Sequence, residues 1–217
     1  MIKNLIIGFY FALFPGGLNV ANNIIPVRET VISSREMSLN NRYPVASVSE
    51  VFKDNILLNL AYLDGRVGNA SDINWTEITK SFKTEFVLQP NEVFAYHDAV
   101  FPEYEGLVVK TTEAHFNSQD GFRSSGYLYG DGVCHLASLI NWAAQDAKLD
   151  VVVPSNHNFA VIPEIPKEYG VSIYYMPNNS AVGAQKNLYI KNNQDTPVKF
   201  VFVYQDGDLS VSVISLA

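Results

Sequence analysis

The stretch GYLYGDGVCHLASLINWAAQ, residues 126–145, holds the only cysteine of the chain, Cys134, directly after a glycine-rich turn and at the start of a predicted helix. Unpaired backbone N–H groups and the helix dipole favour an anion at such a position, which lowers a thiol's pKa and raises its thiolate fraction. At about 100° per residue, Leu136, Leu139, Ile140 and Ala143 form an apolar stripe, while Cys134, Ser138, Asn141 and Gln145 gather on the opposite side. A structural cysteine belongs on the apolar stripe, so the polar placement points to a nucleophile. Gly130, Asp131 and Gly132 make a tight turn into the helix, and the two glycines leave room for a substrate backbone. The competing reading is a small inert residue behind a turn that only caps the helix.

A thiolate nucleophile needs a base. His157, in SNHNFAVI, begins a predicted strand just after the helix and is the favoured partner. That helix-then-strand order is the arrangement of papain-like thiol enzymes, an analogy at the level of fold alone. His135 is adjacent to Cys134 but points about 100° around the helix, and His115 lies upstream in a strand-like segment. The backbone N–H groups of Cys134 and His135 are candidate oxyanion donors. A weaker reading joins Cys134, His135 and His157 in a metal site.

The elements that must position these residues are α+β in order: N-terminal helices, one central helix carrying the cysteine at its start, then a mainly antiparallel sheet. SVSEVFKDNILLNLAYLDG predicts a helix capped by Ser49 and ended by Gly65, and DINWTEITKSFKTEFVL a second one capped by Asp72 or Asn74. Neither carries chemistry in this reading. QPNEVF, GLVVKTTEAHF, LDVVVP, HNFAVIP, GVSIYYMP, KNLYIKNN, VKFVFVYQ and DLSVSVIS read as strands separated by turn signals. Four regions follow: a leader (1–21), a polar arm or linker with one short strand near VRETVIS (22–47), a helical region (48–85) and an α+β domain (86–217).

Composition narrows the function. Hydrophobic residues are 47% and charged residues 17% of 217, as in a globular protein, and the net charge of −7 argues against a nucleic-acid partner. One cysteine excludes an intrachain disulfide and any CxxC zinc site, and HExxH, GxxxxGK[ST] and GxGxxG are absent, so no cofactor is expected. MIKNLIIGFYFALFPGG has one lysine and then an apolar run from Leu5 to Phe14. The run is short for a membrane span of roughly 20 residues but has the length of a signal-peptide core. Ala21 offers a cleavage position, and the alternatives are an uncleaved membrane anchor or a buried first element.

These blocks carry a resemblance. GDGVCHLASLINWAAQDAKLDVVV, NHNFAVIPEIP, KNLYIKNNQDTPVKFVF and FVLQPNEVFAYHDAV resemble, in order and spacing over residues 86–204, the VanW-like family first named from glycopeptide-resistance gene clusters. The family pattern has Gln where this chain has His135, a glycine at Asp131, a first histidine at Ser155 and an aspartate at Asn187. Cys134 and His157 match it. The resemblance implies a bacterial cell-envelope setting, with cell-wall peptide or an envelope protein as the expected partner, and it agrees with the N-terminal segment, through which the chain could attach to a membrane. In the enzymatic reading, Cys134 is the nucleophile of an amidase or acyl transferase, His157 its base, and Asn187 or Asn156 orients the imidazole. In the binding reading the domain is non-catalytic, the loop 117–132 forms the rim, and Tyr127, Tyr129 and Phe122 supply contact surface.

Overall fold

The computed structural model describes residues 28–126 and 129–217. Its main sheet is built on a C-terminal hairpin, β7 (Val198–Gln205) and β8 (Asp208–Leu216). Asp206 and Gly207 both take positive φ at the turn between them, the conformation whose twist matches a two-residue hairpin. β1 (Glu29–Ser38) pairs with β8 and β2 (Phe82–Leu88) with β7, giving an antiparallel sheet of order β1-β8-β7-β2. A second sheet, β4-β3-β6-β5, joins β3 (Val93–Ala95), β4 (Val108–Lys110), β5 (Asp150–Val152) and β6 (Tyr189–Lys191), with β3 and β4 its one parallel pair. Among the described residues four α-helices accompany them: α1 (Ala46–Leu63), α2 (Trp75–Ile78), α3 (Val133–Asp146) and α4 (Ser180–Ala184). The α+β class expected from the order of elements is what the chain adopts.

Alternation along the strands places the core. Phe200 and Phe202 of β7 face the same side as Val211 and Val213 of β8, and all four are buried. Phe86 of β2 stacks on Phe200 at 5.0 Å and on Phe94 of β3 at 5.1 Å, which ties the two sheets together. α1 is buried along its whole second half, from Asp54 to Leu63, because it packs beneath both α3 and the segment 120–131.

Three expectations about local structure are corrected. The second predicted helix is only the four residues of α2, capped by the Asn74 side chain on the Thr76 N–H. The rest of that stretch is strand, because Phe82, Thr84, Phe86 and Leu88 alternate at period two and pair with β7. Ser49 does not cap α1: its hydroxyl accepts from the Arg42 N–H and donates to the Asn40 carbonyl. HNFAVIP and GVSIYYMP are not strands either, apart from an isolated bridge between Asn156 and Val171. The apolar leader and its candidate cleavage position lie outside the described residues. Among the described residues no helix is long and apolar enough to cross a membrane.

The turn into α3 is set by contacts within the chain. Gly132 has φ near 100°, and a Cβ there would lie 2.6 Å from the Phe52 carbonyl oxygen of α1. Gly130, at φ 79°, would meet Phe116 at 2.8 Å. The two glycines therefore admit the chain's own backbone rather than a substrate's. Gly132→Ala is expected to lower unfolding free energy by about 1–3 kcal/mol. Denaturant titration checks this, and an unchanged midpoint contradicts it.

Candidate functional site

A cleft of about 510 Å³ opens beside the start of α3. Cys134, His135 and His157 lie along its floor and Tyr129, Phe159 and Tyr174 along its rim. The turn Gly130-Asp131-Gly132 forms part of the same wall. Asp131 closes that turn, its carboxylate accepting from the Ser125 N–H at 3.0 Å and its carbonyl from Asn55 at 2.9 Å. The Asn55 side chain also pairs with both backbone groups of Arg123. Asn55 positions this turn, and its one signal in the sequence is a polar side chain leading into the apolar run 56–58 of α1. Tyr127 lies outside the described residues. Phe122 is buried against Tyr62 and Phe116 and offers no contact surface.

The polar side of α3 faces a partner within the chain. The Cys134 sulfur accepts from the Ile173 N–H at 3.4 Å and donates to the Ile173 carbonyl at 3.7 Å. Four residues on, the Ser138 hydroxyl accepts from the Val171 N–H at 2.9 Å. One turn further, the Asn141 amide donates to the Tyr169 carbonyl at 2.9 Å. Side chains on three successive turns of α3 thus pair with the backbone of residues 169–173, a segment that belongs to neither sheet. Burial pushes the Cys134 thiol up to about 11, outweighing the Ile173 hydrogen bond that pulls the other way. Burial therefore opposes the lowering expected at a helix start. The His135 N–H donates to the Gly132 carbonyl at 2.9 Å and is not free for an oxyanion.

The histidines stand apart from the thiol chemically. No hydrogen bond joins the Cys134 sulfur to His135 or His157 among the described residues, although all three line the cleft. The His135 and His157 rings face each other edge to face, with centroids 6.4 Å apart. Burial, and next the nearby Arg42 charge, lowers His135 to about 3. Burial also lowers His157, against the opposing pull of the His157 and Ala160 carbonyls. His157 is fixed through its backbone, its N–H donating to the Gly170 carbonyl at 3.1 Å. His115 also lines the cleft, with Asp98 at 3.2 Å, Asp120 at 3.5 Å and the tilted Tyr175 ring at 4.2 Å between centroids.

The two candidate orienting asparagines do other work. Asn187 is fully buried and binds the His97 N–H and carbonyl and the Ala99 carbonyl, so it holds His97 rather than His157. Asn156 is exposed beside the cleft, and its carbonyl accepts from the Ser172 hydroxyl. Among the described residues no group of three or more His, Cys, Asp or Glu is placed to hold a metal ion, which removes the footing for a Cys134–His135–His157 site.

The model of the VanW like protein family matches residues 74–214, well over half of the chain. The chain belongs to the VanW-like family. The match runs past both ends of the 86–204 block and takes in α2, β2 and most of β8, so the VanW-like unit includes the main sheet's edge strand β2. Neither the curated proteins nor the solved structures give a match.

Two outcomes follow for this VanW-like protein. At pH near 8, alkylation of Cys134 in the folded protein is expected to be roughly a hundredfold slower than in the unfolded chain, with a rate still rising towards pH 11. A folded-state rate midpoint below that of a free thiol contradicts it. His97 and His135 are held at about 4 and about 3, whereas both take a proton near pH 6.5 once unfolded. The unfolded chain binds more protons in that window, so stability is complete above about pH 6.5 and falls as the pH drops towards 4. Each group contributes up to about 1.4 kcal/mol per pH unit. His135→Gln is expected to flatten this slope in denaturant titrations, and an unaltered slope contradicts the assignment.

Proposed function

We propose that this VanW-like domain is a binding module of the bacterial cell envelope whose cleft takes a cell-wall peptide, with Cys134 serving structure rather than catalysis. The observation that carries the reading is the state of the thiol. Its sulfur is occupied by the backbone of Ile173, its pKa is pushed up to about 11, and neither histidine is hydrogen-bonded to it. A nucleophile needs the reverse on each count. The cleft itself is suited to capture. Its volume falls within the range of small-ligand sites, roughly 300–1,000 Å³. Its rim carries side chains unusual at a surface: Tyr129 is 55% exposed, Tyr174 50% and Phe159 76%. Such rings offer large contact area at low entropic cost. The apolar leader supports export, with the envelope as address.

The second reading, a Cys134–His157 amidase or acyl transferase, retains one specific support, since both residues line the same cleft. It requires the Ile173 segment to leave the sulfur before chemistry.

Calorimetric titration of the purified protein with soluble muropeptides, followed by mass spectrometry of the mixture, separates the two. Saturable binding without new masses is expected, equal in Cys134→Ser and weakened roughly tenfold in Tyr129→Ala/Phe159→Ala. Cleavage or transfer products that vanish in Cys134→Ser overturn the binding reading in favour of the enzyme.

A further inference from the structure

The segment that crosses α3 makes its contacts in a repeat of two residues. The Val171 N–H donates to Ser138 at 2.9 Å and the Ile173 N–H to Cys134 at 3.4 Å, both partners on α3. The Ser172 N–H donates to the Ser155 carbonyl at 2.9 Å and the Tyr174 N–H to the Lys186 carbonyl at 3.1 Å, both partners outside α3. This is the alternation of an extended chain, in which the N–H and C=O of one residue share an edge and those of the next take the other. Ile173 follows it, since its carbonyl also faces the Cys134 sulfur. Carried one step further, the pattern turns both backbone groups of Tyr175 to the α3 side, roughly 7 Å beyond Ile173.

At that point α3 has run out. Its pairings join Asn141 to Tyr169, Ser138 to Val171 and Cys134 to Ile173, and the helix begins at Val133. The next place along this line is the turn Gly130-Asp131-Gly132, whose three carbonyls all accept within the chain. Gly130 accepts from the Val133 N–H, Asp131 from the Asn55 side chain, and Gly132 from the His135 and Leu136 N–H groups. Among the described residues neither the N–H nor the carbonyl of Tyr175 has a hydrogen-bond partner. Tyr175 is half-buried and lines the cleft, and its ring packs against His97 and His115 at 5.6 and 4.2 Å between centroids. A short edge of main chain, held by its own ring and by the paired residues before it, therefore opens into the cleft where the pairing with α3 stops.

The chemistry of the edge selects its partner. One residue presents a donor and an acceptor side by side, and the matching acceptor and donor at that spacing are those of another main chain. We propose that the cleft takes its peptide by strand addition: an extended ligand pairs its backbone with the N–H and C=O of Tyr175, continuing the edge that Cys134 occupies at Ile173. Phe52, Phe116 and Val133 line the same cleft and suit small apolar side chains on the ligand. The proposal rests on the peptide-binding reading and adds its mode of recognition, in which main-chain hydrogen bonds supply affinity and the pockets beside them supply selectivity.

Hydrogen exchange of the full chain, free and saturated with a soluble muropeptide, reads the edge directly. The Tyr175 amide is expected to exchange fast in the free protein and roughly tenfold more slowly in the complex, while the Tyr174 amide, already paired with Lys186, changes little. Calorimetry with synthetic copies of the muropeptide's peptide, each carrying one backbone N-methyl group, gives the second readout. Methylation of the amide that pairs with Tyr175 should weaken binding roughly tenfold, and methylation of the amide next to it should not. Binding that leaves the Tyr175 amide fast, or that no single N-methyl group weakens, overturns strand addition while the peptide-binding reading stands. A Tyr175 amide already protected in the free protein also overturns it. No binding of the parent muropeptide removes strand addition and the peptide-binding reading together.

Discussion

Most of the site hangs on one interaction, the pairing of the polar side of α3 with the backbone of residues 169–173. Cys134, Ser138 and Asn141 span seven helical steps, roughly 10 Å. From Gly170 to Ile173 the segment spans three extended steps, roughly 10 Å, and Tyr169 before it closes a 3-10 turn. The two rises are close enough for side chains one turn apart to meet successive backbone groups of an antiparallel segment. Those backbone groups have no ladder partner in either sheet, and leaving them buried and unpaired would be costly. Once held, the segment fixes its neighbours. Gly170 receives the His157 N–H so closely that a Cβ would stand 2.5 Å from the His157 carbonyl, and Ser172 pairs with Ser155 and Asn156. His157 and Tyr174 therefore reach the cleft by way of α3.

The same interaction decides the chemistry of the thiol. Two effects compete at Cys134. A helix start favours the thiolate by something near 0.3–1 kcal/mol, whereas removing a thiolate from water disfavours it by up to several pKa units. Desolvation wins because Ile173 covers the sulfur and gives it one N–H in place of a shell of water. Membership of the VanW-like family, matched over residues 74–214, is thereby compatible with two different uses of Cys134 and His157. In this chain the cysteine holds a strap and the histidine faces the cleft.

The residues show which parts of this are legible from sequence. The period-two alternation of β7 and β8, with a turn at Asp206-Gly207, is readable because both strands carry their own buried face. The segment 82–88 misleads because Phe82 and Phe86 are spaced four apart, which suits a helix, and only the β7 partner selects the strand. The polar stripe of α3 is visible on a helical wheel, but its meaning is not. A wheel separates stripe from core without saying whether solvent, substrate or the chain's own backbone meets the polar side. Asn187 misleads for the same reason, since its partner His97 lies 90 residues away and nothing local announces it. Arg42 sits in a polar, aperiodic stretch, and its burial under the cleft depends on Met37, Pro163 and Glu164 converging on it.

Hydrogen exchange at the Val171 and Ile173 amides tests the α3 pairing most directly. The predicted result is protection of both amides well above that of the exposed turns, with Ser138→Ala accelerating exchange at Val171 and Ile173 while the Phe200 amide of β7 keeps its rate. Rapid exchange of Val171 and Ile173 in the unaltered protein, or protection indifferent to Ser138→Ala, would contradict the pairing and reopen Cys134 as a free thiol at the cleft floor.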